Sequence, residues 1–222
     1  MNKFENDFGL FAKSNGLPTT KFEDYKKFSN SYINPTIIEE RRMNVAQMDV
    51  FSRLFMDRIL VLGMEIDSDV ANIINCQLLF LQAEDPTRDI TVYINSPGGS
   101  VYDGMSIYDL FNFVSCPVAT TCFGTAASMA AVLLSSGERG KRMALPHAQV
   151  MVHAPIGGHR ASAPDFKIVA KEMEKCEEMI YRVLADNTGK DYEYIKNMCD
   201  RDKWLTADEA VAENLIDQVV KR

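Results

Sequence analysis

Length, composition and charge limit the kinds of protein that this chain can be. Its 222 residues, 46% of them hydrophobic and 25% charged, suffice for one compact domain with a sizeable core. A formal net charge of −7 without a basic block disfavours nucleic acid and anionic lipid as partners, and no window approaches the ~20 apolar residues that would span a bilayer.

The opening segment has the composition of a leader. Residues 1–31 mix polar, charged and aromatic side chains without a sustained period, which predicts a mobile segment. Lys3, Glu5 and Asp7 interrupt any secretory signal, and no arginine precedes Arg41, which disfavours an organellar transit peptide. We therefore expect a cytoplasmic protein.

The cysteines show no spacing typical of zinc or redox sites. They are odd in number and lie in apolar or helical contexts, so we predict reduced, buried thiols and no metal site. One of them, Cys122, is a minor candidate for a nucleophile. The five are Cys76, Cys116, Cys122, Cys176 and Cys199.

Short apolar strands alternate with helical segments in the first part of the body. The predicted strands are Ile59–Leu62, Ile90–Asn95 and Val118–Phe123. A nearly encased helix, Val70–Ala83, follows Asp69, and a second helix covers Val101–Val114. This alternation is typical of βαβ units on a largely parallel sheet.

In the second part of the body, the hydrophobic pattern predicts a short helix, one more strand and a long amphipathic helix. The short helix covers about Ser128 to Ser136, and the strand Gln149–His153 follows it. The long helix, Pro164–Asn187, would be about 36 Å long at 1.5 Å per residue and ends before Gly189. Its apolar positions recur at steps of three and four and predict a surface for self-association. They are Phe166, Val169, Met173, Cys176, Ile180, Val183 and Leu184.

Ser128 is a candidate nucleophile because it lies where a strand gives way to a helix, among residues too small to shield it. The turn Pro97-Gly98-Gly99 follows a parallel strand, so it should lie at the same edge of the sheet. Two glycines let backbone N–H groups approach a substrate carbonyl, and the N–H groups of Gly99 and Met129 can form an oxyanion hole. The alternative is that Ser128 caps a helix and that the glycines form an ordinary tight turn.

A serine nucleophile needs a base and a group that orients the base. Of the three histidines, His147 and His159 have surface contexts, whereas His153 ends a buried strand at the edge that carries Ser128. The pattern leaves the carboxylate open between Asp200 and Asp202.

Several motifs together resemble the proteolytic subunits of the Clp ATP-dependent protease, the ClpP family. The resemblance runs in order, with the family's spacing, from about Pro35 to Val220. The motifs are Tyr93-Ile94-Asn95-Ser96-Pro97-Gly98-Gly99-Ser100-Val101, Ala126-Ala127-Ser128-Met129, Gly140-Lys141-Arg142, Ala144-Leu145-Pro146, Met151-Val152-His153 and Asp200-Arg201-Asp202.

This resemblance implies a fold and an activity. The fold would be α/β, a crotonase-like body of repeated ββα units with a projecting handle helix over residues 164–187. Residues 1–31 would be a propeptide, 32–58 an axial pore segment with the first helix, and 59–222 the catalytic domain. The chain would be a serine endopeptidase with Ser128 as nucleophile, His153 as base and Asp202 orienting the base. Gly99 and Met129 would supply the oxyanion hole.

The resemblance also implies partners. Two stacked heptameric rings, of this chain alone or mixed with a paralogue, would enclose a chamber into which a Clp-type AAA+ unfoldase delivers unfolded proteins. ATP would act on the unfoldase, so no cofactor is expected on this chain. Asp200 and Arg201 would link the rings, and Tyr93 and Phe113 would belong to the groove that docks the unfoldase. Thr91, Met143 and Ala154 depart from the family pattern.

Two other interpretations remain. One is an auxiliary ring subunit that keeps the fold but turns over poorly. The other is a crotonase-type acyl-CoA enzyme, which would also polarise a carbonyl with two N–H groups but would place acids at the reacting carbon. The sequence places no acid beside Gly99 or Met129 apart from Asp103.

Overall fold

The structure is a computed structural model that describes Ser14 and residues 36–41, 44–157 and 162–221. An antiparallel pair, β1 (Thr36–Arg41) and β2 (Asn44–Asp49), leads directly into α1 (Val50–Met56). The Asp49 side chain accepts a hydrogen bond from Ser52 N at 3.0 Å and so caps this helix. Apart from Ser14, the predicted leader lies outside the described residues, and its role stays a prediction.

A seven-stranded sheet carries the rest of the described fold. Five parallel strands lie side by side in the order β3-β4-β5-β6-β9. The strand β7 pairs parallel with the end of β5, and β8 pairs antiparallel with β7. The bounds are β3 Ile59–Leu62, β4 Ile90–Ser96, β5 Val118–Ala127, β6 Arg142–Ala144, β7 Gln149–Val152, β8 Lys203–Thr206 and β9 Gln218–Val219. The predicted α/β class with a largely parallel sheet is confirmed.

Six further helices connect the strands in the described part of the chain. They are α2 Ser68–Glu84, α3 Val101–Phe113, α4 Met129–Ser135, α5 Ala163–Thr188, α6 Tyr192–Cys199 and α7 Ala207–Ala212. The helix α2 is nearly encased, as predicted, with Ile73, Ile74 and Leu78 at most 2% exposed. Its cap is Asp67 and not Asp69, because the Asp67 carboxylate accepts from the N–H groups of Asp69 and Val70.

Strand β5 extends four residues beyond the predicted end at Phe123. Thr125, Ala126 and Ala127 pair with Gln149, Val150 and Met151 of β7. A local pattern could not reveal this extension, because the small side chains of this stretch carry no strand signal and the partner strand lies further along the chain.

Only the second half of α5 packs on the body. Ile180, Tyr181 and Leu184 are buried, whereas Phe166 is 57% and Ile168 63% exposed. The helix stops at Gly189, which takes a left-handed conformation with φ 70°, as the sequence predicted. In the first half of the apolar stripe, Phe166 is exposed and Val169 and Met173 are half-buried, so this part is only partly covered in the single chain.

All five cysteines are free, and four of them are buried. The prediction of burial is wrong for Cys176, which is half-buried because it lies on the part of α5 that leaves the core. Burial raises the pKa of Cys122 to about 11, so its thiol stays protonated at neutral pH. Cys122 is therefore unsuited to act as a nucleophile.

A charged cluster joins β8 to the helices around it. The carboxylate of Glu213, which follows α7, accepts hydrogen bonds from Lys203 of β8 and from Tyr194 of α6, and it pairs with Lys190 at 2.9 Å. Burial alone would raise the pKa of Glu213, but the bonds from Lys190, Lys203 and Tyr194 lower it to about 2. The cluster thereby holds the strand that begins one residue after Asp202.

We expect Glu213→Gln to lower the free energy of unfolding by roughly 2–3 kcal/mol at neutral pH, because a depressed pKa stores stability in the ionised form. That contribution is complete above the unfolded pKa and is lost as the pH falls from about 4.5 towards 2. Urea unfolding of wild type and variant at several pH values should therefore show a difference that shrinks on acidification. Glu193→Gln, an exposed change on α6, is the control. A difference that does not change with pH would contradict the prediction.

Candidate active site

Pairing between β5 and β7 brings Ser128 and His153 together. Each residue follows its strand directly, and the last pair in register is Ala127 with Met151. Ser128 N–H extends the pairing by donating to Met151 O at 2.8 Å. As a result, Ser128 Oγ lies 2.8 Å from His153 Nε2.

Ser128 has an unusual backbone conformation. Its φ is 55° and its ψ is −126°, in a region that residues with a side chain rarely adopt. Such a backbone conformation is unfavourable by about 1–3 kcal/mol of free energy. It persists only where the surrounding structure holds it, often at functional sites. The side chain makes no capping hydrogen bond to α4, so simple helix capping does not account for this serine. The helix accordingly begins at Met129 and not at Ser128.

The antiparallel pairing of β7 with β8 brings an aspartate to the other side of the imidazole. Val152 lies opposite Lys203, and the next residues outward are His153 and Asp202. His153 Nδ1 is 3.3 Å from Asp202 Oδ1, with the histidine side chain 12% and the aspartate side chain 63% exposed. With the proton on Nδ1 facing Asp202, Nε2 is free to accept the Ser128 hydroxyl proton.

Of the two aspartates that the pattern left open, Asp202 is the one beside His153. The Asp200 carboxylate instead lies 3.6 Å from Arg201 Nε, and both of these side chains are largely exposed. Their exposure leaves them available to contact another chain.

The Gly98-Gly99 turn is held against the serine by a short parallel bridge. Ile66 N–H donates to Gly98 O, and Ser100 N–H donates to Ile66 O, each at 2.8 Å. In this pattern the intervening Gly99 N–H points away from Ile66. A methyl group on Gly98 would lie 2.7 Å from Ser128 Cβ and 3.0 Å from Met129 N, so turn and helix start are in close contact.

Two backbone N–H groups are unoccupied at this junction. Within the described ranges, no hydrogen bond uses the N–H of Gly99 or of Met129. Both residues line the cleft that contains Ser128 and His153, which has a volume of about 290 Å³. The arrangement can bind an oxygen atom that becomes negatively charged next to the serine.

The walls of the cleft are mainly apolar, and one acid lies among them. The apolar lining includes Val101, Val132, Ile156, Ile180 and Leu184. Glu65 lines the same cleft beside Gly99, which corrects the expectation that Asp103 is the only nearby acid. Sequence reasoning missed Glu65 because more than 30 residues separate it from the glycine turn.

The other predicted histidines do not join the site. His147 is exposed ahead of β7 and does not line the cleft. His159 lies outside the described residues.

Several apolar side chains of the sheet and of its flanking segments are exposed or half-buried. Tyr93 of β4 contacts Phe123 of β5 edge to face, with ring centroids 6.2 Å apart. Phe113 at the end of α3 is 70% exposed. Leu145 and Val220 follow the paired strands β6 and β9 and are also exposed. The sequence named Tyr93 and Phe113 but missed Phe123, because β5 is buried continuously from Val118 to Cys122 and no alternation marks the exposed position that follows.

The described residues contain no cluster suited to a metal ion and no helix suited to span a membrane. Across residues 36–41, 44–157 and 162–221, no group of three or more histidine, cysteine or acidic side chains could hold a metal ion. No described helix is both long and apolar enough to cross a membrane.

Comparison with known proteins identifies the family. A family model described as Clp protease matches residues 41–222. The ATP-dependent Clp protease proteolytic subunit of Porphyromonas gingivalis is 49% identical over 218 residues, which are 98% of each chain. Proteins with the same description from Bacteroides fragilis and Bacteroides thetaiotaomicron are each 49% identical over 216 residues, 97% of this chain and 98% of their own length.

These matches confirm the resemblance that the motifs indicated and the ClpP-like fold expected from it. The family model matches most of this chain, and the curated relatives align with it almost from end to end. The chain therefore belongs to the Clp protease family.

Proposed function

We propose that this chain is a serine endopeptidase, the proteolytic subunit of an ATP-dependent Clp protease. The observation that carries the proposal is the 2.8 Å contact between Ser128 Oγ and His153 Nε2 at a strand-to-helix junction. The curated relatives support it, because they are described as proteolytic subunits of such a protease. The substrates would be unfolded proteins.

The chemistry would be acyl transfer. Ser128 Oγ attacks the carbonyl carbon of a peptide bond while His153 Nε2 takes the hydroxyl proton. Asp202 holds the imidazole in the required tautomer and stabilises the imidazolium that forms. His153 then returns the proton to the leaving amine, and water hydrolyses the acyl-enzyme by the same route.

Negative charge on the carbonyl oxygen would be stabilised by the N–H groups of Gly99 and Met129. Ser128, with its positive φ, lies at the N-terminus of α4. The first N–H groups of this helix have no partner within it. Because these donors are already oriented, little reorganisation is needed when the charge develops.

Both alternative functions are less well supported. An acyl-CoA enzyme of the crotonase type would not need a serine in contact with a histidine, whereas here the contact is formed. An auxiliary subunit with poor turnover would not need a carboxylate beside the base, whereas here Asp202 Oδ1 lies 3.3 Å from His153 Nδ1.

The assembly would be two stacked heptameric rings. The exposed first half of α5 would pack on the facing ring, and Asp200 and Arg201 would contribute contacts there. Residues 32–58 would edge the axial pore, and the apolar side chains of Tyr93, Phe113 and Phe123 would help to dock a Clp-type AAA+ unfoldase. The propeptide at residues 1–31 and a cytoplasmic location belong to the same proposal.

We expect Ser128→Ala to reduce cleavage of a fluorogenic peptide by at least about a thousandfold, because no other hydroxyl or thiol side chain among the described residues lines the cleft. A fluorophosphonate should label wild type at Ser128, as read by mass spectrometry of the peptides. Ser115→Ala, an exposed change outside the cleft, is the control and should retain labelling and activity. Cleavage that survives in Ser128→Ala would refute the assignment, and absence of labelling would favour the acyl-CoA enzyme.

We expect Gly99→Ala to lower kcat by roughly 100-fold. Gly99 has φ 149°, and a methyl group there would overlap the backbone of Ile66, so the turn must move and its N–H must lose its position. Gly140→Ala is a matched control, because Gly140 also has a positive φ, 86°, but has nothing within 4 Å of the added methyl group. Steady-state kinetics of both variants would test this, and a normal kcat in Gly99→Ala would contradict the proposed oxyanion hole.

We expect the double change Phe166→Glu and Ile168→Glu to separate the two rings, because it puts charge on an apolar surface that must lose water. Sedimentation should show about half the wild-type mass and a loss of peptidase activity. Lys171→Glu, an exposed change on the same helix, should leave the mass as it is. An unchanged mass in the double variant would argue against ring contact through α5.

A further inference from the structure

Glu65 is a charged side chain in an otherwise uncharged part of the cleft. Among the described residues that line the cleft, it is the only acid or permanent base, and the polar members beside it are Ser128 and His153. The remaining lining is apolar or backbone, as at Gly99. A carboxylate in this position faces any peptide that reaches the serine.

The backbone around Glu65 is fixed next to the oxyanion turn. Ser96 Oγ donates to Met64 O at 2.6 Å, and Ile66 N–H donates to Gly98 O at 2.8 Å. Ile66 is buried, with 1% of its surface exposed, so in this extended stretch the neighbouring Glu65 side chain points to the opposite, open side. The Glu65 backbone is therefore held beside the turn that would bind the carbonyl oxygen.

The Glu65 carboxylate has no partner within the described part of the chain. Other acids of the protein do have partners: Glu213 is held by two lysines and Asp217 by the buried Arg142. Among the described residues, the Glu65 side chain forms neither an ion pair nor a hydrogen bond, and it is exposed. Its charge is thus available to a ligand.

We propose that Glu65 is a specificity-determining residue that favours substrates with lysine or arginine close to the scissile bond. The inference rests on the proposed function, since it concerns the peptide bound at Ser128. The apolar wall formed by Val132, Ile180 and Leu184 suits an aliphatic side chain. A basic side chain on a neighbouring substrate residue would instead reach the rim and pair with Glu65.

The expected preference is modest. A pair between exposed charges gives about a two- to fivefold effect on kcat/KM, and this effect weakens as salt rises. The relevant readout is therefore a ratio between two peptides and not the rate for either one. Such a ratio is insensitive to differences in enzyme concentration or in the fraction assembled.

The test uses internally quenched peptides of one sequence that carry Lys, Gln or Glu at each of three positions on either side of the cleavage point. Wild type should cleave the Lys peptide about two- to fivefold faster than the Glu peptide for at least one position, and high salt should reduce the ratio. Glu65→Gln should bring that ratio close to one, Glu65→Lys should invert it, and Glu65→Asp should restore part of it. Glu84→Gln, an exposed change at the far end of α2, should leave the ratio as in wild type.

The outcomes separate this inference from the function on which it rests. If wild type cleaves the Gln peptides but treats Lys and Glu alike at every position, the role of Glu65 is overturned and the peptidase remains. A preference for Lys that is unchanged in Glu65→Gln and Glu65→Lys also overturns it. If wild type cleaves none of the peptides and Ser128 is not labelled by a fluorophosphonate, the proposed function falls, and this inference falls with it.

Discussion

The hydrogen bond from Ser128 N–H to Met151 O is the contact on which the site depends. It continues the pairing of β5 with β7 by one residue, past the point where β5 would otherwise end. Because the same strand β7 leads directly into His153, this one bond sets the separation between hydroxyl and imidazole. The antiparallel pairing of β7 with β8, anchored by the Glu213 cluster, then fixes Asp202 in turn, so strand pairing aligns three residues that are far apart in sequence.

Small side chains make this junction possible. Ala126, Ala127, Ala130 and Ala131 are almost completely buried around the serine, and the glycine turn packs against it. A serine with φ 55° is unfavourable by itself, and the close packing of the alanines and the glycine turn against it supplies the free energy that holds it there. Rigid parts of the fold therefore carry the candidate chemistry, while the partly uncovered α5 and the exposed Asp200 and Arg201 lie around it.

Sequence reasoning predicted the elements with strong local signals and failed where distant segments meet. The strand–helix alternation, the encased helix α2 and the stop of α5 at Gly189 follow from periodicity and glycine chemistry. The residues alone left Asp200 and Asp202 equally plausible, and only family resemblance chose Asp202, because the β7–β8 pairing has no local signature. The conformation of Ser128, the place of Glu65 in the cleft and the anchoring of β8 by Glu213 were missed for the same reason.

The close packing under Ser128 has a consequence for how this protein can change over evolutionary time. A methyl group on Gly98 would overlap Ala127 and Ser128, and one on Gly104 would overlap the Met129 side chain, so single substitutions at these close-packed positions are penalised. The rim is different, because Glu65 and Ile156 are exposed and have room to vary. New substrate preferences can therefore arise by substitution at the rim, whereas steric overlap opposes substitution of the close-packed glycines.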